Sequence, residues 1–170
     1  MTPEAHHHRF RHLMWGAIAA TFLVLVTGTV GGLRVLLVED DNPLRALQRI
    51  ILEETGGFRI IGEAEDGRQA IRLAKTLQPE LILLDLAMPV MGGLEALPQL
   101  RQVAPGSRIV VVTMLQRDGV EAEALRLGAN AYIDKGLDSA EFVKRLTRVL
   151  ADPGTQQARR SVWARTPSSS

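Results

Sequence analysis

Between residues 33 and 151 the chain alternates two kinds of hydrophobic pattern. Short apolar runs occupy Arg34–Val38, Phe58–Ala64, Leu81–Asp85, Arg108–Thr113 and Ala131–Asp134. Three of them contain almost unbroken stretches, VLLV, LILL and IVVV. A strand with one wet face alternates apolar and polar residues. An unbroken run suits a strand covered on both faces, as in a parallel sheet between helices. Between the runs, apolar residues recur at helical spacing. Leu44, Leu47, Ile50 and Ile51 share one face, as do Ala70, Ile71, Ala74 and Leu77. Leu94, Leu97 and Leu100 recur every three residues, and Phe142, Leu146, Val149 and Leu150 form the last stripe. Each stripe is expected to be core.

The breaks between patterns carry turn chemistry. Asn42-Pro43 starts the first helix, with Pro43 in the first turn, and Gly56-Gly57 ends it. Asp66-Gly67 and Pro79 bound the second helix, and Pro105-Gly106 closes the third. Pro98 falls inside the third pattern, which predicts a late start or a kink there. Strict alternation of strands and helices gives a (βα)5 architecture: a doubly wound, five-stranded parallel sheet with helices on both faces. There is no internal repeat.

The two ends read differently. Residues 13–33 contain no charged residue, and a spanning helix needs roughly 20 apolar residues. This run reaches that length only through its glycine-rich end at Gly28, Gly31 and Gly32. It reads as a membrane anchor flanked by Arg9 and Arg11, as a secretory apolar region, or as the product of a start assigned too far upstream, with Val30 as the true start. Residues 152–170 lack apolar periodicity, end in Pro and Ser, and are expected to be a disordered basic tail. The expected domains are therefore an extension at 1–32, the folded domain at 33–151 and the tail. Only 19 residues follow Ala151, too few for an output domain such as a helix-turn-helix. The chain is then expected either to work through protein contacts alone or to be truncated.

Charge narrows the partners. The net charge of +1 hides a body, residues 33–152, with 15 Lys or Arg against 18 Asp or Glu, a net of −3. An acidic body with small basic ends argues against direct nucleic-acid binding. The absence of cysteine excludes disulfides and thiolate metal sites. All four histidines (His6, His7, His8 and His12) lie far along the chain from the densest chemistry.

In an open parallel sheet the site lies at the carboxyl ends of the strands. The first strand ends in Glu39-Asp40-Asp41 and the third in Asp85. The fourth ends in Thr113, and Lys135 follows the fifth. Singly, each has a bland reading: an Asp after a strand is a common helix cap, and a lone Lys is a surface residue. Together they converge on one edge. Clustered carboxylates repel unless a cation joins them, and an all-oxygen set suits a hard cation such as Mg2+. A carboxylate held beside such a metal can attack phosphorus and form an aspartyl phosphate. Thr113 and Lys135 would then supply donors to the phosphoryl oxygens.

At these residues the sequence resembles the receiver domains of two-component response regulators, over about residues 33–151. LRVLLVEDDNPLR is similar to the family's first strand and acidic pocket, and PELILLDLAMPVMGGLEAL to its phosphorylation-site signature. IVVVTM carries the Thr, and GANAYIDKG the aromatic and the Lys. The GGLEAL and TM segments resemble receivers that precede LuxR-type helix-turn-helix outputs.

The resemblance implies the flavodoxin-like receiver fold and a role for each matching position. Asp85 is the phosphoacceptor. Asp40 and Glu39 hold Mg2+ with Asp85 and the Ala87 carbonyl, with Asp41 an alternative to Asp40. Thr113 and Lys135 contact the phosphoryl group. Thr113 and Tyr132 form the switch, and Met88, Pro89 and Gly92 shape the loop. The implied phosphodonor is a histidine kinase or a phosphotransfer protein in the cytoplasm, with membrane tethering only if residues 13–33 are an anchor. Phosphorylation would alter the face formed by the fourth helix, fifth strand and fifth helix, residues 114–150, which could also pair in a homodimer.

Two departures from the family pattern carry expectations. Gly136 follows Lys135 where many relatives have Pro, so a looser loop is expected. Positions two past Asp85 and two past Thr113, which tune dephosphorylation in the family, hold Ala87 and Leu115. Neither side chain can orient water, which predicts slow self-dephosphorylation. A rival reading is an aspartate-nucleophile phosphatase, which needs a second Asp where Ala87 stands. Another is a pseudo-receiver that binds partners without phosphorylation, against which the full acidic, Thr and Lys set argues. On balance the chain is read as a signalling domain, not an enzyme.

Overall fold

A computed structural model describes residues 31–115 and 119–152. The strands are β1 (Leu33–Val38), β2 (Phe58–Ala64), β3 (Leu81–Leu84), β4 (Arg108–Thr113) and β5 (Ala131–Asp134). The helices are α1 (Asn42–Glu54), α2 (Gly67–Leu77), α3 (Gly93–Val103), α4 (Val120–Arg126) and α5 (Ser139–Ala151). All strand pairs are parallel, in the order β2-β1-β3-β4-β5. The chain winds outward from β1 in both directions, which leaves a crevice beyond β1, β3 and β4.

The unbroken apolar runs are buried on both faces. Leu36, Val38, Ile82, Leu84, Ile109 and Val111 pack with α2, α3 and α4. Their neighbours Val35, Leu37, Leu81, Leu83, Val110 and Val112 pack with α1 and α5. The alternation expected of a strand is present, but each face meets its own apolar core.

Aspartate side chains start three of the helices. Asp41 accepts the Leu44 N–H at 2.8 Å, Asp66 that of Gln69 at 2.8 Å and Asp138 that of Glu141 at 2.9 Å. Helix α3 has no side-chain cap and begins at Gly93, so the late start expected from Pro98 is not observed. Pro98 sits in the second turn, where its missing N–H removes one helical bond, to the Leu94 carbonyl.

The stripe expected to be the core of α1 is corrected by the structure. Leu47 and Ile50 are 50% and 52% exposed, and the inward residues are Arg45, Gln48 and Leu52. The helix is turned so that two polar side chains reach the end of β1, where they find hydrogen-bond partners. The other stripes are largely buried as expected, with Ala70, Ala74, Leu97, Leu100, Phe142, Leu146 and Leu150 in the core.

At the amino-terminal edge of the sheet, Arg101 ties α3 to the turn before β5. Its guanidinium donates to the Ser107 carbonyl at 2.7 Å, the Gly128 carbonyl at 2.6 Å and Asn130 Oδ1 at 2.8 Å. Among the described residues no helix is long and apolar enough to cross a membrane. The apolar extension, apart from residues 31–33, and the tail beyond Asp152 lie outside the described residues.

Candidate phosphoacceptor site

Four strand ends meet at the carboxyl edge. Asp85 follows β3 directly, and its N–H donates to the Val38 carbonyl at 2.9 Å, which continues the sheet ladder one residue further. Asp85 is 4% exposed. Its Oδ1 accepts the N–H groups of Leu86 at 2.7 Å and Ala87 at 3.3 Å. Its Oδ2 lies 2.9 Å from Lys135 Nζ. One oxygen is therefore held by backbone and the other by an ammonium, which fixes the carboxylate in one orientation.

Glu39 follows β1 and is 1% exposed. Its Oε2 lies 2.6 Å from the same Lys135 Nζ. Carboxylate oxygens of Glu39, Asp40 and Asp85 all come within 4.8 Å of one another. Asp41 is not among them, because its side chain is engaged as the cap of α1. Three carboxylates facing one ammonium leave an excess of negative charge in a largely buried place. An all-oxygen donor set with that excess fits a hard divalent cation.

The protonation chemistry follows the burial. Desolvation pushes the Glu39 carboxyl above its ordinary 4.5, against the pull of Lys135, and the charge on Asp85 adds to the rise. For Lys135 burial favours the neutral amine, but its bonds to Glu39 and Asp85 outweigh this and hold the ammonium above its ordinary 10.5.

Thr113, the last residue of β4, is fully buried. Its Oγ1 accepts the Leu115 N–H at 3.2 Å, and its carbonyl accepts the Lys135 N–H at 3.1 Å. The hydroxyl and the ammonium are thus carried on neighbouring strands in fixed register. The loop after Lys135 is also tied down: Asp134 Oδ1 accepts the Gly136 N–H at 2.7 Å. That bond supplies some of the restraint expected to be missing without a proline. Tyr132 donates its hydroxyl to the Leu115 carbonyl at 2.6 Å and packs, half-buried, against the core under α4. Burial first, then the charges of Asp134, Glu121 and Asp85, push its phenol above 10.0.

The loop from Asp85 to α3 is shaped by more than Met88, Pro89 and Gly92. Met88 packs half-buried on the core, the Pro89 carbonyl accepts the Met91 N–H at 2.7 Å, and Gly92 stands at the N-cap of α3. The tighter glycine is Gly93, where a Cβ would lie 2.1 Å from the Asp85 carbonyl oxygen. Its N–H donates to the Leu86 carbonyl at 3.0 Å. Val90 occupies the left-handed region at φ 67° and is 73% exposed. A β-branched side chain is strained there. Val90→Asn is expected to raise unfolding stability by about 1 kcal/mol, measured by urea denaturation, because Asn tolerates that backbone region. A loss of stability would show that the Val90 side chain contributes more than its strain costs.

The structure thus brings Glu39, Asp40, Asp85, Thr113 and Lys135 to one edge, with Tyr132 behind Leu115. Arg45 and Gln48 also belong to this neighbourhood, although the hydrophobic pattern of the sequence does not single them out. Arg45 donates to the Glu39 carbonyl, and Gln48 Nε2 lies 3.4 Å from Glu39 Oε2. The signal available for them was two polar residues three apart on a helix that begins beside the acidic corner.

A (βα)5 sheet in this strand order, with an acidic pocket, a Thr and a Lys at its carboxyl edge, defines the receiver class of signalling domains. Residues 35–147 match the response regulator receiver domain, and the chain belongs to that family. It is 34% identical over 119 residues to the response regulator GacA of Pseudomonas viridiflava, an alignment that covers 70% of this chain and 56% of GacA. The chain thus spans about half the length of that relative. Among solved structures it is similar to a LuxR-family two-component response regulator from Aurantimonas sp. SI85-9A1. The TM-score is 0.66 at 30% identity, covering 78% of this chain and 99% of that one. It is also similar to a chain in the CheX-CheY-BeF3-Mg+2 complex from Borrelia burgdorferi. There the TM-score is 0.66 at 27% identity, covering 71% and 90%.

Proposed function

We propose that Asp85 accepts a phosphoryl group in a Mg2+-dependent reaction and that the acyl phosphate switches the face built by α4, β5 and α5. The observation that carries this is the buried Asp85 carboxylate, oriented by two N–H groups and Lys135 beside the acidic pair Glu39 and Asp40. The donor would be a phosphohistidine of a histidine kinase or a phosphotransfer protein. An Asp85 oxygen attacks phosphorus, the P–N bond breaks, and the histidine keeps the electron pair. Glu39, Asp40, Asp85 and the Ala87 carbonyl would hold Mg2+, which when bound neutralises phosphoryl charge. The Borrelia structure that holds the similar chain is a CheX-CheY complex with BeF3 and Mg+2, which supports this reading.

The chain's own residues do the rest. Lys135 turns from carboxylate partners toward phosphoryl oxygens, and the Thr113 hydroxyl donates to one of them. Movement of Thr113 leaves room for Tyr132 to turn inward once its bond to the Leu115 carbonyl is released. The added charge of about −1.5 to −2 drives this two-state change. The exposed apolar residues Leu47 and Ile50 on α1 support docking of the phosphodonor near Asp85. Beside them is a cleft lined by Leu44, Ile51, Leu137 and Phe142, with Lys135 on its wall.

Incubating the full chain with acetyl phosphate and Mg2+ tests the proposal. Intact-mass measurement is expected to show one added phosphoryl group, absent after chelation and absent in Asp85→Asn. Failure of the wild type to take up phosphoryl would leave a phosphorylation-independent interaction module. Sustained turnover of a phosphomonoester would make it a phosphatase.

A further inference from the structure

We infer that Arg45 is a positioning residue for the acidic corner: its guanidinium fixes the Glu39–Asp40 backbone in the geometry that receives the divalent cation. This rests on the metal-dependent reading of the site given above.

The residue is unusual for its place. Arg45 lies on the inner face of α1 and is 7% exposed. A buried guanidinium needs partners for its donors, and a lone one is costly. Here the partners come from three parts of the chain. One terminal nitrogen donates to the Glu39 carbonyl, the peptide group directly before Asp40. The other donates to Asn42 Oδ1 at the start of α1 and lies 3.4 Å from Glu65 Oε1. Nε donates to Glu63 Oε2 at 3.1 Å.

The corner between β1 and α1 is only three residues long, Glu39 to Asp41, and two of these carry carboxylates of the site. Its backbone is tied by Glu39 N–H to the Ala64 carbonyl at 2.9 Å, Arg45 N–H to the Asp41 carbonyl at 2.9 Å, Leu44 N–H to Asp41 Oδ1 at 2.8 Å and, more loosely, Asp41 N–H to Glu39 Oε1 at 3.4 Å, while Lys135 and Gln48 reach only the Glu39 carboxylate. The backbone and cap bonds hold its two ends. Among the described residues Arg45 is the side chain that bonds the corner's central peptide, at the Glu39 carbonyl, and it does so from a helix face where an apolar residue would be the default.

The charges are arranged consistently with this role. A cation near a metal site weakens metal binding by repulsion. Glu63 and Glu65, near and just beyond the end of β2, pair with the guanidinium and offset its charge. Arg49 also pairs with Glu63, which holds that carboxylate in place. Arg45 therefore supplies its planar fork to the corner while its charge is largely matched elsewhere. Lys at this position would keep the charge and lose the fork.

The two effects of Arg45 predict opposite signs. If it acts mainly as a nearby positive charge, its removal should tighten Mg2+ binding. If it positions the corner, its removal should weaken it. Mg2+ titration of the full-length wild type, Arg45→Lys and Arg45→Met by calorimetry decides between them. Each variant is studied well below its own melting temperature, so that lost stability does not imitate lost affinity. Both are expected to bind Mg2+ about tenfold more weakly than wild type, the scale seen for residues that orient metal ligands. The Mg2+ concentration giving half-maximal uptake from acetyl phosphate should rise in step, with the rate at saturating Mg2+ within about twofold of wild type. Unchanged or tighter Mg2+ binding in Arg45→Lys, with wild type binding normally, would overturn the inference. Absence of Mg2+ binding by the wild type would instead overturn the reading on which it rests.

Discussion

Lys135→Met will lower the stability of the metal-free domain by about 3 kcal/mol at neutral pH, seen as a fall in the urea midpoint. The ammonium bridges Glu39 at 2.6 Å and Asp85 at 2.9 Å, with all three side chains nearly buried. Removing it leaves two carboxylates in a poorly solvated place with no cation between them. The sign with pH follows from the same contacts. The Lys135 ammonium is held above 10.5, so its contribution is fully present below that pH and is lost as pH rises through its folded value. In the variant, the penalty is repulsion between carboxylates. It should shrink as pH falls into the range where Glu39 protonates, a range that burial places above 4.5. Mg2+ should restore part of the lost stability, because it binds the folded state selectively. Equal or greater stability of Lys135→Met at neutral pH without metal would show that the Lys135 bridge does not stabilise the pair.

Ala87→Asn combined with Leu115→Glu will shorten the lifetime of the phosphorylated state by at least about tenfold, measured as phosphate release after the phosphodonor is removed. Hydrolysis of an acyl phosphate needs a water aligned on phosphorus. Ala87, two past Asp85, is exposed and offers only a methyl group toward any such water. Leu115 is held by its backbone: its N–H donates to Thr113 Oγ1 and its carbonyl accepts the Tyr132 hydroxyl. A polar side chain placed there rides on a fixed frame beside the site and can orient water that Leu cannot. A half-life that is unchanged or longer in the double variant would show that water access is controlled elsewhere.

Much of this site was legible because strand ends in a parallel sheet point to one edge. The runs VLLV, LILL and IVVV are β1, β3 and β4, buried on both faces, and Asp85, Thr113 and Lys135 follow from where those runs and β5 stop. The inner face of α1 was not legible. Counting apolar residues favours Leu47 and Ile50, and periodicity cannot see that Arg45 finds Glu63 and Glu65 18 and 20 positions away. Long-range hydrogen bonding overrode the hydrophobic stripe. The choice between Asp40 and Asp41 had a readable signal, since an Asp directly before Asn42-Pro43 stands where a helix cap belongs. The crowding at Gly93 depends on the approach of α3 to the Asp85 carbonyl, and the left-handed Val90 on the closure of the same loop. Neither follows from local sequence.

The proposed chemistry places the phosphoryl group on one carboxylate among the clustered acids. The most direct test is to charge the full-length chain with acetyl phosphate and Mg2+, reduce the acyl phosphate with borohydride, and map the reduced residue by peptide mass spectrometry. Conversion is expected at position 85 alone, with Glu39, Asp40 and Asp41 unchanged. Reduction at any of those three with Asp85 intact, or no reducible acyl phosphate at all, would contradict that chemistry.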